Sequence, residues 1–196
     1  MLRKWKACGI IVFLTAVAFL SVSPIAVKTS TAQDATGTLA DILERGKIKV
    51  GSEIAYPPME DYDPVTGEEI GFDIDLMDAI MEHVSDAYDT DLTVEWIYSD
   101  WTPIIPNLLA EQFDVIMSSM TITSERELQV DFTRWYYQSA MGILVAEDNP
   151  KNILTENDLN DSSIKIGVQI GTTTHLWLQA YDIDDVATVM TYTSFP

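Results

Sequence analysis

Two short stretches carry groups suited to gripping an anion. The first is Ser118-Ser119-Met120-Thr121 followed by Arg126, which sets three hydroxyls and a guanidinium within nine residues. The second is Gly171-Thr172-Thr173-Thr174, a glycine turn leading from an apolar run into a helical pattern. The first amides of a helix have no partner inside it, and the dipole end they form is positive. A planar guanidinium on one side and helix amides on the other suit a single carboxylate. Each stretch alone has a plainer reading. Arg126 could form a surface ion pair with a nearby Glu or Asp, and Gly-Thr-Thr could be an ordinary helix cap. Their joint occurrence favours a ligand site. The position of Arg126 points the same way. Ser124 and Glu127 have the spacing of a capping box, and a Ser124 N-cap puts Arg126 second in the helix, where the dipole disfavours a cation.

Other chemistry is weakly supported. His83 and His175 have no companion at metal-ligand spacing and read as surface residues. The stretch DYDPVTGEE (61–69) holds carboxylates near a glycine, but it lacks the spacing of a calcium loop and contains a proline, so it reads as an acidic hairpin. No Ser-His-Asp or Cys-His arrangement indicates a nucleophile. No catalytic residue, metal or cofactor is expected.

The elements that must hold these residues alternate in type. KIKVGSE (47–53) and LTVEWIY (92–98) read as strands, EDYDPVTGEEIGF (60–72) as a hairpin around Thr66-Gly67, and the run from Asp73 to Tyr88 as an amphipathic helix with Ile74, Met77, Ile80, Met81, Val84 and Tyr88 at helical spacing. Thr102-Pro103 opens a further helix, with Thr102 as N-cap. Phe113–Met117 is a strand, and MGILVAED (141–148) another, long and hydrophobic. Beyond Asn149-Pro150 the pattern restarts: a short helix in TENDLN, a strand over 164–170, a helix over 172–181 and a strand over 186–192. Strands alternating with helices predict parallel sheets covered by helices, in two α/β lobes that divide near residue 146. Two strands are few for a second sheet, so the chain is expected to be truncated there.

Charge and targeting narrow the class. The chain has 11 basic and 31 acidic residues, a formal charge of −20. Residues 1–32 form a secretory signal peptide on this reading: Arg3, Lys4 and Lys6, then the apolar run Ile10–Val22, then a small-residue cleavage site ending at Ala32. Four of the 11 basic residues (Arg3, Lys4, Lys6 and Lys28) lie within that segment, which leaves 7 against 31 acidic ones. Nucleic acid is thereby excluded as a partner, because tracking phosphates requires clustered Lys and Arg. The single cysteine, Cys8, leaves with the signal peptide, so no disulfide or thiol chemistry is available to the mature protein.

The segments IKVGSEIAYPPMEDYD, GEEIGFDIDLMDAI, DWTPIIPNLLAEQFDVIMSSMTITSERELQVDFTRWYY and IKIGVQIGTTT resemble, in order from about residue 40 onward, the bacterial extracellular solute-binding proteins for polar amino acids (family 3), which feed ABC importers. The resemblance implies an α/β, two-lobed periplasmic-binding-protein fold of type II (the Venus flytrap), here with lobe 1 at 33–145 and a partial lobe 2 at 146–196. It implies roles residue by residue. Arg126 would pair with the ligand α-carboxylate, helped by the Thr173 amide and the neighbouring Thr172. Ser119 and Thr121 would bond the ligand main chain, Thr121 taking the α-ammonium together with the Met120 carbonyl. Tyr56 and Trp101 would pack on the ligand, and Glu53 would touch its side chain. The implied protein is not an enzyme. It is an exported monomer that delivers an amino acid to a membrane permease. Two alternatives share the fold: a cyclohexadienyl-dehydratase-like enzyme with Glu53 as its acid, and the sensing domain of a longer receptor or murein lyase.

Overall fold

The computed structural model describes residues 35–194, so the signal peptide expected over 1–32 and Cys8 lie outside the described residues. No helix among them is long and apolar enough to cross a membrane. The chain opens with helix α1 (Thr38–Arg45), which ends at Gly46 in the left-handed conformation, and passes into strand β1 (Lys47–Ser52). The acidic stretch folds as the expected hairpin, β2 (Asp61–Tyr62) against β3 (Glu69–Ile70). Helix α2 (Phe72–Tyr88) and strand β4 (Thr93–Tyr98) follow, then helix α3 (Ile104–Leu109), strand β5 (Val115–Ile116) and the short helix α4 (Ser124–Glu127). After an irregular stretch come a 3-10 turn (Glu156–Leu159), strand β6 (Lys165–Gln169), helix α5 (Thr173–Ala180) and strand β7 (Thr188–Tyr192).

Apart from that hairpin, the described strands form two parallel sheets, as the alternation of elements predicts. In the first, β1 lies between β4 and β5. In the second, β6 pairs with β7. Each sheet has its own core. Helix α2 lays Met77 and Met81 over Ile48 and Val50, with Ile42 and Met117 beside them. Each such fully buried side chain contributes about 1.5–3 kcal/mol. The second core gathers Leu159, Ile164, Val168, Leu178, Ile183 and Ala187.

Three local expectations are corrected. Residues 141–148 do not form a strand: the segment is irregular, and Met141, Ile143 and Leu144 are exposed. A strand needs a neighbouring edge to take its amide and carbonyl bonds, and no described strand pairs with this segment. Pro103, not Thr102, is the N-cap of α3. The N-cap of α4 is Thr123, not Ser124; its extended backbone presents Oγ1 to the Arg126 amide at 3.3 Å. Both residues carry a capping hydroxyl, so the choice of register falls to tertiary packing.

Asp114, at the entry to β5, fastens the start of the first sheet. Its Oδ2 accepts the Lys49 amide at 2.7 Å and pairs with Arg45. Asp114→Ala removes a charged acceptor from a half-buried place, and the expected loss is about 1.5–3 kcal/mol, read as a lower urea midpoint with unchanged slope.

Candidate functional site

All three strands of the first sheet run the same way, so their carboxyl ends lie at one edge, where open α/β sheets take ligands. Glu53 follows β1, Trp101 follows β4, and Ser118 to Thr121 follow β5. Gln169 and Gly171, at the carboxyl end of β6, meet this edge from the second sheet.

Arg126 stands at the centre of this junction. Although it belongs to a four-residue helix, it is only 7% exposed, and no carboxylate among the described residues lies within ion-pair distance of it. Its Nη1 donates to the Thr121 carbonyl at 2.7 Å and its Nη2 to the Gly171 carbonyl at 3.2 Å. The guanidinium carbon lies 5.2 Å from the centre of the Trp101 ring, within range of a cation–π contact. Burial pulls the guanidinium pKa down, opposed by Glu125. The group remains a cation, since arginine does not deprotonate in proteins. The surface-ion-pair reading therefore fails on both burial and partners.

Glu53 is buried. Its Oε1 accepts Gln169 Nε2 at 2.7 Å, and its carboxylate also accepts the Trp101 amide. Burial raises its pKa, the Gln169 bond lowers it, and the like charge of Asp100 raises it, for a net upward shift. The same Gln169 amide donates to the Thr193 carbonyl at 3.1 Å, so Gln169 spans from the end of β7 to the first sheet. The sequence reading passed over Gln169 because an amide inside a strand carries no signature of its own.

Behind this edge the hydroxyls are committed inward. The Glu53 amide donates to Ser118 Oγ at 3.1 Å, and Ser118 Oγ donates to Glu60 Oε1 at 2.9 Å. Ser119 sits in the left-handed region (φ 49°), its amide donating to Asp73 Oδ2 at 3.0 Å. Tyr136 Oη donates to the same oxygen at 3.1 Å. Glu60, Asp73 and Tyr136 were not singled out from sequence. Glu60 precedes an acidic hairpin and Asp73 begins an amphipathic helix, and nothing local marks either as buried.

The remaining candidates divide. Met120 is half-buried between Ser119 and Thr121, and Thr121 contributes its carbonyl to Arg126 while its side chain faces solvent. Tyr56 is 42% exposed, its backbone bridged to Glu60. At the second sheet Gly171 turns with φ 74° into α5. Thr172 is the N-cap: its Oγ1 accepts the His175 amide at 3.3 Å and donates to the Gln169 carbonyl at 2.8 Å. The Gly171 amide donates to His175 Nδ1 at 3.3 Å, so His175 is a capping residue, not a plain surface one. Thr173, the first residue of α5, is half-buried beside this cap.

Comparison with known proteins places these features in context. Residues 48–192 match the profile of the bacterial extracellular solute-binding proteins, family 3. The L-arginine-binding protein of Pseudomonas aeruginosa is 35% identical over 100 residues, 51% of this chain and 36% of that protein. The L-cystine-binding protein TcyJ of Escherichia coli is 29% identical over 143 residues, 73% of this chain and 50% of that protein. Among solved structures, the ancestral amino acid-binding protein AncCDT-1, a precursor of cyclohexadienyl dehydratase, superposes with a TM-score of 0.73 at 35% identity, covering 81% of this chain and 66% of that one. An ancestral arginine-binding protein bound to arginine gives 0.68 at 34% identity, over 77% of this chain and 62% of that one. The chain thus spans half or less of these two curated relatives and about two thirds of these solved structures.

Proposed function

The chain belongs to the bacterial extracellular solute-binding proteins, family 3, and from that membership we propose that it captures one amino acid between its two sheets and delivers it to an ABC transporter permease. The named relatives above are binding proteins, and the structure linked to the dehydratase is that of an amino acid-binding precursor of it.

One observation carries the reading: Arg126 is a buried cation with no counter-ion among the described residues. Its present acceptors, the carbonyls of Thr121 and Gly171, are neutral. Bonds to a carboxylate are roughly twice as strong as bonds to neutral acceptors, so an α-carboxylate would displace the carbonyls and supply the missing charge. The Thr173 amide would add a donor from the second sheet, next to Thr172. Ser119, Thr121 and the Met120 carbonyl would take the α-ammonium side. Tyr56 and Trp101 would flank the ligand side chain, with Glu53 at its end. An acid there and aromatic faces beside it favour a basic side chain, in keeping with the arginine-binding relatives. In this reading residues 33–145 and 146–196 belong to the two lobes, residues 1–32 direct export to the periplasm or cell exterior, and the protein works as a monomer.

Titration calorimetry of the full-length protein against the common L-amino acids tests this. We expect saturable heat with at least one, at a Kd near or below micromolar, about −8 kcal/mol. Silence with every amino acid, combined with turnover of arogenate or prephenate, would replace this reading with the dehydratase.

A further inference from the structure

We propose that Glu60 and Asp73 form a buried acid pair that shares one proton and thereby positions Ser119, holding the loop 119–121 in shape. The pair itself is read from the protein alone; its bearing on ligand capture rests on the function proposed above.

Both side chains are sealed from solvent, Glu60 at 1% and Asp73 at 0% exposure. They come from separate elements, Glu60 from the strand-bridged turn before β2 and Asp73 from the first turn of α2, and both reach the same hydroxyl, Ser119 Oγ, at 3.3 and 3.4 Å. The groups facing them come from every neighbouring segment. The loop after β5 offers the hydroxyls of Ser118 and Ser119 and the Ser119 amide, and the irregular stretch after α4 offers the Tyr136 phenol. None of these is a cation, and none of the groups shifting either carboxyl is a lysine, arginine or histidine. Two ionised carboxylates in such a place would repel each other in a low dielectric, with only neutral hydrogen-bond donors among the described groups to offset it.

The hydrogen-bond inventory locates the proton. Asp73 Oδ2 accepts three ways, from the Ser119 amide, Ser119 Oγ and Tyr136 Oη, whereas Asp73 Oδ1 is buried with no donor among the described residues. Ser119 Oγ stands 3.3 Å from Glu60 Oε2 and 3.4 Å from Asp73 Oδ2, and its one hydrogen can serve only one of them. A proton on Glu60 leaves the Ser119 hydrogen for Asp73 and adds a donor between the two carboxyls. Burial and the neighbouring Asp73 push the Glu60 pKa up to about 8, which keeps that proton in place at neutral pH.

The consequence falls on Ser119. A serine at φ 49° is in a conformation that L residues avoid, and the bonds from its amide and hydroxyl to the pair hold it there. Loss of the shared proton sets two negative charges against each other directly behind the loop.

The test begins with the ligand-free, full-length protein. In wild type the Ser119 amide resonance should move with pH with a midpoint near 8, and an infrared band of a protonated carboxyl should persist at neutral pH. Glu60→Gln keeps a neutral donor in place, so both signals should be absent. Linkage fixes the sign for stability. A carboxyl raised in the folded state contributes fully below its unfolded pKa and loses that contribution as pH rises through the folded one. The wild-type Tm should therefore fall between about pH 5 and about pH 9 more steeply than that of Glu60→Gln. No protonated-carboxyl band and a Ser119 amide indifferent to pH would overturn the proposal, and these wild-type readings decide it even if the variant fails to fold. Affinity for L-arginine, as probe, should drop several-fold from about pH 7 to about pH 9 in wild type. Failure of L-arginine and every other amino acid to bind at any pH would count against the proposed function, while the titration of Ser119 still decides the acid pair.

Discussion

Replacing Arg126 with alanine is expected to weaken amino-acid binding by about 2–5 kcal/mol, the usual cost of removing a charge-assisted bidentate partner from a closed cleft. Arg126→Lys should recover little, because a single ammonium can neither bridge two acceptors in one plane nor stack on Trp101 as the guanidinium does. Sequence alone predicts that alanine costs almost no stability, since it removes a cation from a positive helix end. The structure changes that expectation. Arg126 is the third helical residue, it is buried, and its guanidinium ties the Thr121 and Gly171 carbonyls together. Stripping two carbonyls of their donor adds a loss of about 1–3 kcal/mol to the ligand-free protein. Calorimetric affinity and Tm measured on one full-length Arg126→Ala sample separate the two effects. Affinity within about twofold of wild type, only ~0.4 kcal/mol, would mean that the guanidinium does not hold the ligand carboxylate.

Gly71→Ala is expected to destabilise the protein by about 3 kcal/mol, large for a change of one methyl group. Gly71 has φ 131°, and a Cβ there would lie 2.3 Å from the Met59 carbonyl oxygen and 2.7 Å from its carbon. Those are backbone atoms and cannot rotate aside. The closeness is what lets the Phe72 amide donate to the Pro58 carbonyl at 3.1 Å and the Asp73 amide to the Met59 carbonyl at 2.9 Å. A methyl group at Gly71 would push the start of α2 off the turn that carries Glu60. The urea midpoint should fall, and the Ser119 amide resonance should shift although Ser119 is unchanged. A loss under about 0.5 kcal/mol would show that the contact relaxes freely.

The strands β1, β4 and β6, helix α2 and the hairpin were legible because their signals are local. Alternation, a helical stripe of Ile74, Met77 and Met81, and a Thr66-Gly67 turn each depend on residues a few positions apart. The segment 141–148 has the composition of a strand, but whether it pairs depends on an edge supplied from elsewhere in the chain. The capping-box spacing pointed to Ser124 as the cap of α4, whereas the cap is Thr123, the hydroxyl one residue earlier, a shift that spacing alone does not register.

The sequence by itself determined the α/β class, the strongly acidic balance and the two stretches around Arg126 and Gly171 whose residue types suit an anion, because each is written in neighbouring residue types. Only the tertiary structure decided that Arg126 is buried without a counter-ion among the described residues, that Gln169 reaches Glu53 across 116 positions, and that Glu60 and Asp73 meet at Ser119 Oγ. Burial and Coulomb repulsion act through space, between groups the chain keeps far apart, so a carboxylate reads the same in sequence whether water or another carboxylate surrounds it.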